Sequence, residues 1–188
     1  MTHKTMDELE AGLADIARSP ADDGVLRMIV RRPSVGEREV LVEGRLELAV
    51  GLVGDNWSTR GSSRTPDKSA HPDMQINVMN ARVVDLVAGD EARWSLAGDQ
   101  LFVDLDLSVT NLPPGTQLAI GSAAIEVTPE PHTGCQKFVS RFGPDAMKFV
   151  NAPARRHLRL RGLNARVVRP GTIRTGDRVK KVTERATP

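Results

Sequence analysis

Residues 101–107 read LFVDLDL, and this regular exchange of apolar and acidic side chains is the pattern of a strand with one face buried. Such a ribbon cannot stand alone, because its backbone groups need neighbouring strands and its apolar face needs a core. The rest of the chain supplies short candidates for both. Residues 25–32 (VLRMIVRR) alternate until Pro33–Gly36 close them, and 39–53 (EVLVEGRLELAVGLV) place Leu46, Leu48 and Val50 on one face. Further strands are expected over 75–79, 117–120, 124–128, 165–168 and 177–182, with Gly121 and Ser122 dividing one pair and Pro170–Gly171 bending the last. Helical signals are few. Met6, Leu9, Leu13, Ile16 and Ala17 recur at helical spacing behind Thr5 as N-cap, and Pro20 stops them. Asn80 caps ARVVDLVAG, which Gly89 closes, and a short helix over 135–142 ends at Gly143 and Pro144, with one more turn over 145–150. Seven or eight short strands with these helices predict a mostly-β fold, a barrel with a few flanking helices.

The chain is 188 residues long with 39% apolar residues, which suits one domain with a real core. A helical extension over 1–22, a barrel domain over 23–184 and a tail over 185–188 are expected. No run approaches the roughly 18 apolar residues of a membrane span, and the acidic N-terminus MTHKTMDELEAGLADIARSP is no signal peptide, so a cytoplasmic protein without membrane partners is expected. The net charge of +2 conceals an asymmetry: residues 1–150 carry −7 and residues 151–188 carry +9. Such a segment suits a polyanion, or else packs across the acidic body of its own domain. Stacking on single-stranded nucleic acid calls for surface aromatics, and only four Phe and two Trp are present, which argues against a nucleic-acid partner.

The single cysteine, Cys135, excludes an internal disulfide and a thiolate zinc cluster. It follows the stiff turn PEPHTG and opens a helix, near His132, Lys137 and Arg141, where a thiol is pushed toward the thiolate that attacks or binds metal. The competing reading is a buried, inert cysteine. His132 stands three residues away as a candidate base or orienting group, although a polar loop histidine is the commoner case. His71 sits in the loop 54–72 (GDNWSTRGSSRTPDKSAHP), a length usual only in functional or disordered segments. In that loop Gly54, Asp55, Arg60 and Gly61 form a turn that aims a cation suited to phosphate. Asp104 and Asp106 share a strand face as an acid–base pair or, more simply, as its solvent side. No P-loop or GxGxxG is present.

Four segments, GLVGDNWSTRG, DMQINVMN, the stretch from GDQLFVDLDL to PHTGCQKFVSRFG, and GLNARVVRPGTIRTGDRV, together resemble the MOSC domain, the C-terminal module of molybdenum-cofactor sulfurases. The resemblance covers roughly residues 25–182, and the small stand-alone bacterial type is the nearest in size. It implies a β-barrel and a functional Cys135 that carries sulfur as a persulfide or ligates the molybdenum of a pterin cofactor, with a soft thiolate suited to both. Arg60, Thr133, Lys137 and Arg141 are the implied cofactor-binding positions, beside Cys135 and His132 as catalytic ones. No pyridoxal-phosphate domain fits in this length, so a persulfide must come from a separate sulfur donor such as a cysteine desulfurase. The amidoxime-reducing relatives carry a further N-terminal barrel region where this chain has only a helix, and any reduction of N-hydroxylated compounds needs a separate redox partner. The alternative is a non-catalytic module that keeps the barrel and binds another anionic ligand.

Overall fold

Thr5 accepts from the Glu8 backbone while Glu8 reaches back to the Thr5 N–H, a reciprocal cap that starts the chain's first helix. These features belong to a computed structural model that describes residues 3–183; the tail expected over 185–188 and the first two residues of the expected extension lie outside it. In chain order the elements are α1 (Met6–Ala11), α2 (Leu13–Ile16), β1 (Gly24–Arg31), β2 (Glu39–Leu41), β3 (Glu43–Glu47), β4 (Gly51–Leu52) and α3 (Trp57–Arg60). After these come β5 (Ile76–Asn80), α4 (Ala81–Ala88), β6 (Leu101–Asp104), β7 (Gln117–Ile120), β8 (Ala123–Val127), α5 (Gln136–Asn151), β9 (Leu163–Arg169), β10 (Gly171–Arg174) and β11 (Arg178–Lys181). Single 3-10 segments cover Pro72–Met74, Glu91–Ala97 and Pro153–Leu158.

Seven strands close into a barrel in the order β1-β11-β7-β8-β9-β5-β6 and back to β1, with β2 added where β1 has run past β11. Every pairing in it is antiparallel except β5–β6, whose crossover carries α4. The mostly-β barrel expected from the alternation is therefore the fold. A separate three-stranded sheet, β10-β3-β4, lies beside it. The strand count is higher than the alternation suggested, because 39–53 breaks into three strands and the Pro170–Gly171 bend releases β10 as its own strand.

Strand parity builds two cores. Leu26, Ile29, Ile76, Val78, Leu101 and Val103 point into the barrel, whereas Met28, Val30, Met79 and Phe102 point out beneath the helices. The β-bulge between Leu26 and Met28 resets the alternation along β1. Against the outward set pack Leu9, Val84, Phe138, Phe142 and Phe149 from α1, α4 and α5. Gly143, at φ 89°, breaks α5 in the middle, where the Gly-Pro pair announced a stop. No helix among the described residues is long and apolar enough to cross a membrane.

The strand of LFVDLDL ends at Asp104. Asp104 is half-buried and held at 2.8 Å by Arg82, while Asp106 accepts from the Ser108 backbone and hydroxyl, so the two carboxylates are spent on separate structural contacts. The basic C-terminal segment packs across the acidic body: Arg166 meets Glu126 and Asp73, Arg174 meets Glu43, and Arg178 and Lys180 share Asp23. Exposed pairs of this kind contribute little each but leave few free charges along β9–β11.

Asn80 joins strand, helix and N-terminal segment. Its Oδ1 accepts from the Arg82 and Val83 backbones, and its Nδ2 donates to Ser19 Oγ and the Leu105 carbonyl. Asn80→Ala should lower stability by about 1–2 kcal/mol. Denaturant midpoints of the two proteins check this, and an unchanged midpoint would contradict the capping role.

Candidate functional site

β1 ends at Arg31, and Arg32, the next residue, is buried. Arg32 Nε and Nη2 donate to the Asp55 carboxylate at 2.8 Å each, and its Nη1 donates to Asn77 Oδ1 at 3.0 Å and the Gly98 carbonyl at 2.9 Å. Asp55 also accepts from the Arg32 and Trp57 backbones, and its side chain is 0% exposed. The pair thus ties the end of β1 to the loop entering α3, to β5 and to the segment before β6.

Beside Gly98 lies a second buried pair. Asp99 is 0% exposed and receives Arg161 Nη1 on both oxygens at 2.9 and 2.7 Å, while His132 Nε2 lies 2.7 Å from Oδ1. Burial would raise the Asp99 carboxyl, but Arg161 and then His132 outweigh it and hold it at about 2. Burial, and after it Arg161, lowers the His132 imidazolium below its usual range despite Asp99. The ring is therefore neutral at pH 7 and donates Nε2–H to the carboxylate.

These contacts anchor the turn before Cys135. Asn77 donates to Asn164 at 2.6 Å, Asn164 donates to the Glu130 carbonyl, and the Gly134 N–H donates to Asn151 Oδ1 at 2.9 Å. A Cβ on Gly134 would sit 2.6 Å from Met147 Sδ, so any side chain there would displace that thioether. Cys135 follows as the N-cap of α5, exposed, with its thiol making no capping bond. It is not beneath packed aliphatics. His132 is committed to Asp99, and Thr133 and Lys137 are exposed. His71 caps its own 3-10 turn, accepting from the Asp73 backbone.

Arg141, two turns along α5, and Arg60, from the long loop, both lie near a third arginine, Arg38. A Cβ placed on Gly98 would lie 3.5 Å from Arg38 Nη2 and 3.8 Å from Arg141 Nη1, so these guanidiniums meet over the carbonyl that Arg32 holds. Arg38 is lowered by burial, then by Arg141 and Arg32, with Arg60 adding to the repulsion. Arg60 keeps solvent contact but is lowered by surrounding protein and by Arg32. Arg32, Arg38 and Arg60 thus lie near Asp55, and Arg32 already neutralises it. Arg38 Nε and Asn56 Oδ1 are buried here without partners. Arg38, Asp99 and Arg161 have no local signal in the sequence because their partners lie far along the chain, 62 positions apart for the Asp99–Arg161 pair. Asn77, a lone amide in the apolar strand INVMN, and Arg32 at the end of an apolar strand were the available cues.

The sequence model of the MOSC domain matches residues 65–180. Among solved structures, the YuaD protein of Bacillus subtilis superposes with a TM-score of 0.63 and 18% identity over 86% of this chain and 97% of that one. YiiM of Escherichia coli gives 0.53 and 18% over 87% and 72% of the two chains, and YiiM of Geobacillus stearothermophilus 0.51 and 14% over 87% and 74%. At these identities the likeness is one of fold. No curated protein matches the chain in sequence.

The His132–Asp99 contact has a pH signature. A histidine whose folded pKa is lowered costs stability as pH falls from about 6.5, because the unfolded chain takes up the proton first. Asp99, held low, contributes stability above about pH 4 and loses it only as pH falls toward 2. The unfolding midpoint should therefore fall between pH 7 and pH 5, and His132→Gln, which keeps a donor to Asp99, should flatten that fall. An equal slope in both proteins would contradict a neutral buried ring.

Proposed function

Because the chain belongs to the MOSC domain family, we propose that it binds the molybdenum cofactor, or relays sulfur for it, through Cys135. The observation that carries this reading is that Arg38 and Arg141 approach each other at Gly98, with Arg60 near Arg38 and Arg38 Nε buried without a partner, while the chain's one thiol is exposed at the start of the helix that carries Arg141. The donor set fits the group. A pterin phosphate is matched by forked guanidiniums, and molybdenum by a soft thiolate, of which this chain has one.

In this reading Arg38, Arg60 and Arg141 hold the phosphate, with Lys137 adding charge and Thr133 a hydroxyl near the thiol. Arg32 does not bind, since Asp55 consumes it; it fixes the Gly98 carbonyl over which Arg38 and Arg141 meet. Cys135 presents its sulfur from a turn pinned by Asn151, Asn164 and His132, so little freedom remains to be lost on ligation. When bound, the cofactor would supply a metal that cycles by two electrons and exchanges oxygen with a substrate such as an N-hydroxylated compound, the electrons coming from a separate donor protein. For sulfur relay, the Cys135 thiolate attacks the outer sulfur of a donor persulfide. The donor S–S bond breaks, the donor leaves as thiolate, and Cys135 keeps the sulfane sulfur. His132 has no part in either step while Asp99 holds it, and acts by positioning the turn.

Protein produced in a host that makes the cofactor should carry molybdenum and pterin. Cys135→Ser should cut molybdenum about tenfold, and the double variant Arg38→Gln/Arg60→Gln should cut both by about tenfold or more. Metal analysis and pterin fluorescence read the outcome. Cys135→Ser protein that keeps its molybdenum and accepts persulfide sulfur like the parent would overturn the proposal and leave an anion-binding module as the better reading.

A further inference from the structure

The turn that carries Cys135 also walls a second space. A cavity of about 580 Å³ opens between residues 128–134, the end of α5, the 3-10 segment Pro153–Leu158 and the start of β9. This is an ordinary size for a small-molecule site. None of Arg32, Arg38, Arg60 and Arg141 borders it. Its lining combines Val109, Val150 and Leu163 with three other arginines, Arg156, Arg159 and Arg161.

The charges there do not balance. The lining carboxylate is Glu130, which is engaged by Arg64 at 2.7 Å. Arg156 is exposed and has no carboxylate partner among the described residues. Arg159 ends its 3-10 segment in the left-handed region, φ 48° and ψ 47°, a conformation unfavourable for a residue with a side chain. Its guanidinium donates only to main-chain carbonyls, Leu112 at 2.6 Å and Leu107 at 3.5 Å, and burial lowers its pKa. Arg161 is more than nine-tenths buried; its terminal nitrogens serve Asp99 and the Ala97 carbonyl, and its Nε is buried without a partner. Asp99 answers Arg161, whereas Arg156 and Arg159 border this half-closed space without a carboxylate partner among the described residues, which leaves two guanidiniums to favour an anion there.

We infer that this cavity binds a compact organic oxyanion, a carboxylate or phosphate monoester, with its charged end on Arg156 and Arg159 and its apolar body against Val109, Val150 and Leu163. A ligand seated there rests on Thr133 and Gly134, next in sequence to the reactive thiol. The site goes beyond cofactor binding and does not depend on it, so it is tested on full-chain protein made without the cofactor.

Phenyl phosphate, phenylacetate and inorganic phosphate are titrated by calorimetry. At least one phenyl compound should bind with a Kd near or below about 1 mM and several-fold tighter than inorganic phosphate. The tighter of the two assigns the phosphate ester or the carboxylate as the anion. Arg156→Gln, an exposed change that leaves the fold intact, and Arg159→Gln should each weaken binding about tenfold, while Arg38→Gln and Arg60→Gln leave it within about twofold. No binding by either phenyl compound, inorganic phosphate as tight as phenyl phosphate, or sensitivity to Arg38 and Arg60 in place of Arg156 would each overturn the inference. A failed cofactor test leaves these titrations unaffected.

Discussion

A guanidinium out of water is tolerable only with its donors filled, and Arg32 meets that demand with a carboxylate, an amide and a carbonyl drawn from three separate parts of the chain. The geometry therefore holds only when β1, the loop into α3, β5 and the segment before β6 are all in place. Its net contribution to stability is small compared with an apolar substitute, but losing one partner costs about 3–5 kcal/mol because the other is left charged and buried. Such an interaction specifies one arrangement more than it strengthens it.

Gly98 and Asp99 pass that arrangement on. The Gly98 carbonyl belongs to the Arg32 pair and the Asp99 carboxylate to the Arg161 pair, so two consecutive residues couple the two buried ion pairs. Through His132 the second pair holds the turn before the thiol, and through Asn77 and Asn164 the first pair holds it at the Glu130 carbonyl. Each of these two buried acids is matched by one arginine, while Arg38 and Arg141 at Gly98, and Arg156 and Arg159 at the cavity beside Thr133, have no carboxylate partner among the described residues.

The fold was legible where one local rule governed. The Asn80 and Gly89 caps of α4, the Thr5 cap and the Gly143–Pro144 break each depend on residues within a few positions, and each is realised, whereas of the alternation over 101–107 only Leu101–Asp104 forms a strand. Short strands without strong alternation were harder: β4 has two residues, and β10 exists because it meets β3 more than 120 positions earlier. At the site, residue type indicated that Cys135, Arg60 and Arg141 deserved notice, whereas the pairing of His132 with Asp99 across 33 positions had no local trace. Asp104 and Asp106 show the converse, a local pattern that suggested a carboxylate pair and that Arg82 and Ser108 divide between them.

By itself the sequence determined the material: a barrel built from alternating short strands, one thiol behind a rigid turn, and a basic final segment following an acidic body, because periodicity, backbone stiffness and charge are properties of neighbouring residues. Only the tertiary structure decided how the charges are spent. The C-terminal arginines and lysines go largely to surface carboxylates, Arg32 and Arg161 go to buried ones, and Arg38, Arg60, Arg141, Arg156 and Arg159 have no carboxylate partner among the described residues. That division follows from which side chains lose water together, a matter of distance in space that spacing along the chain does not encode.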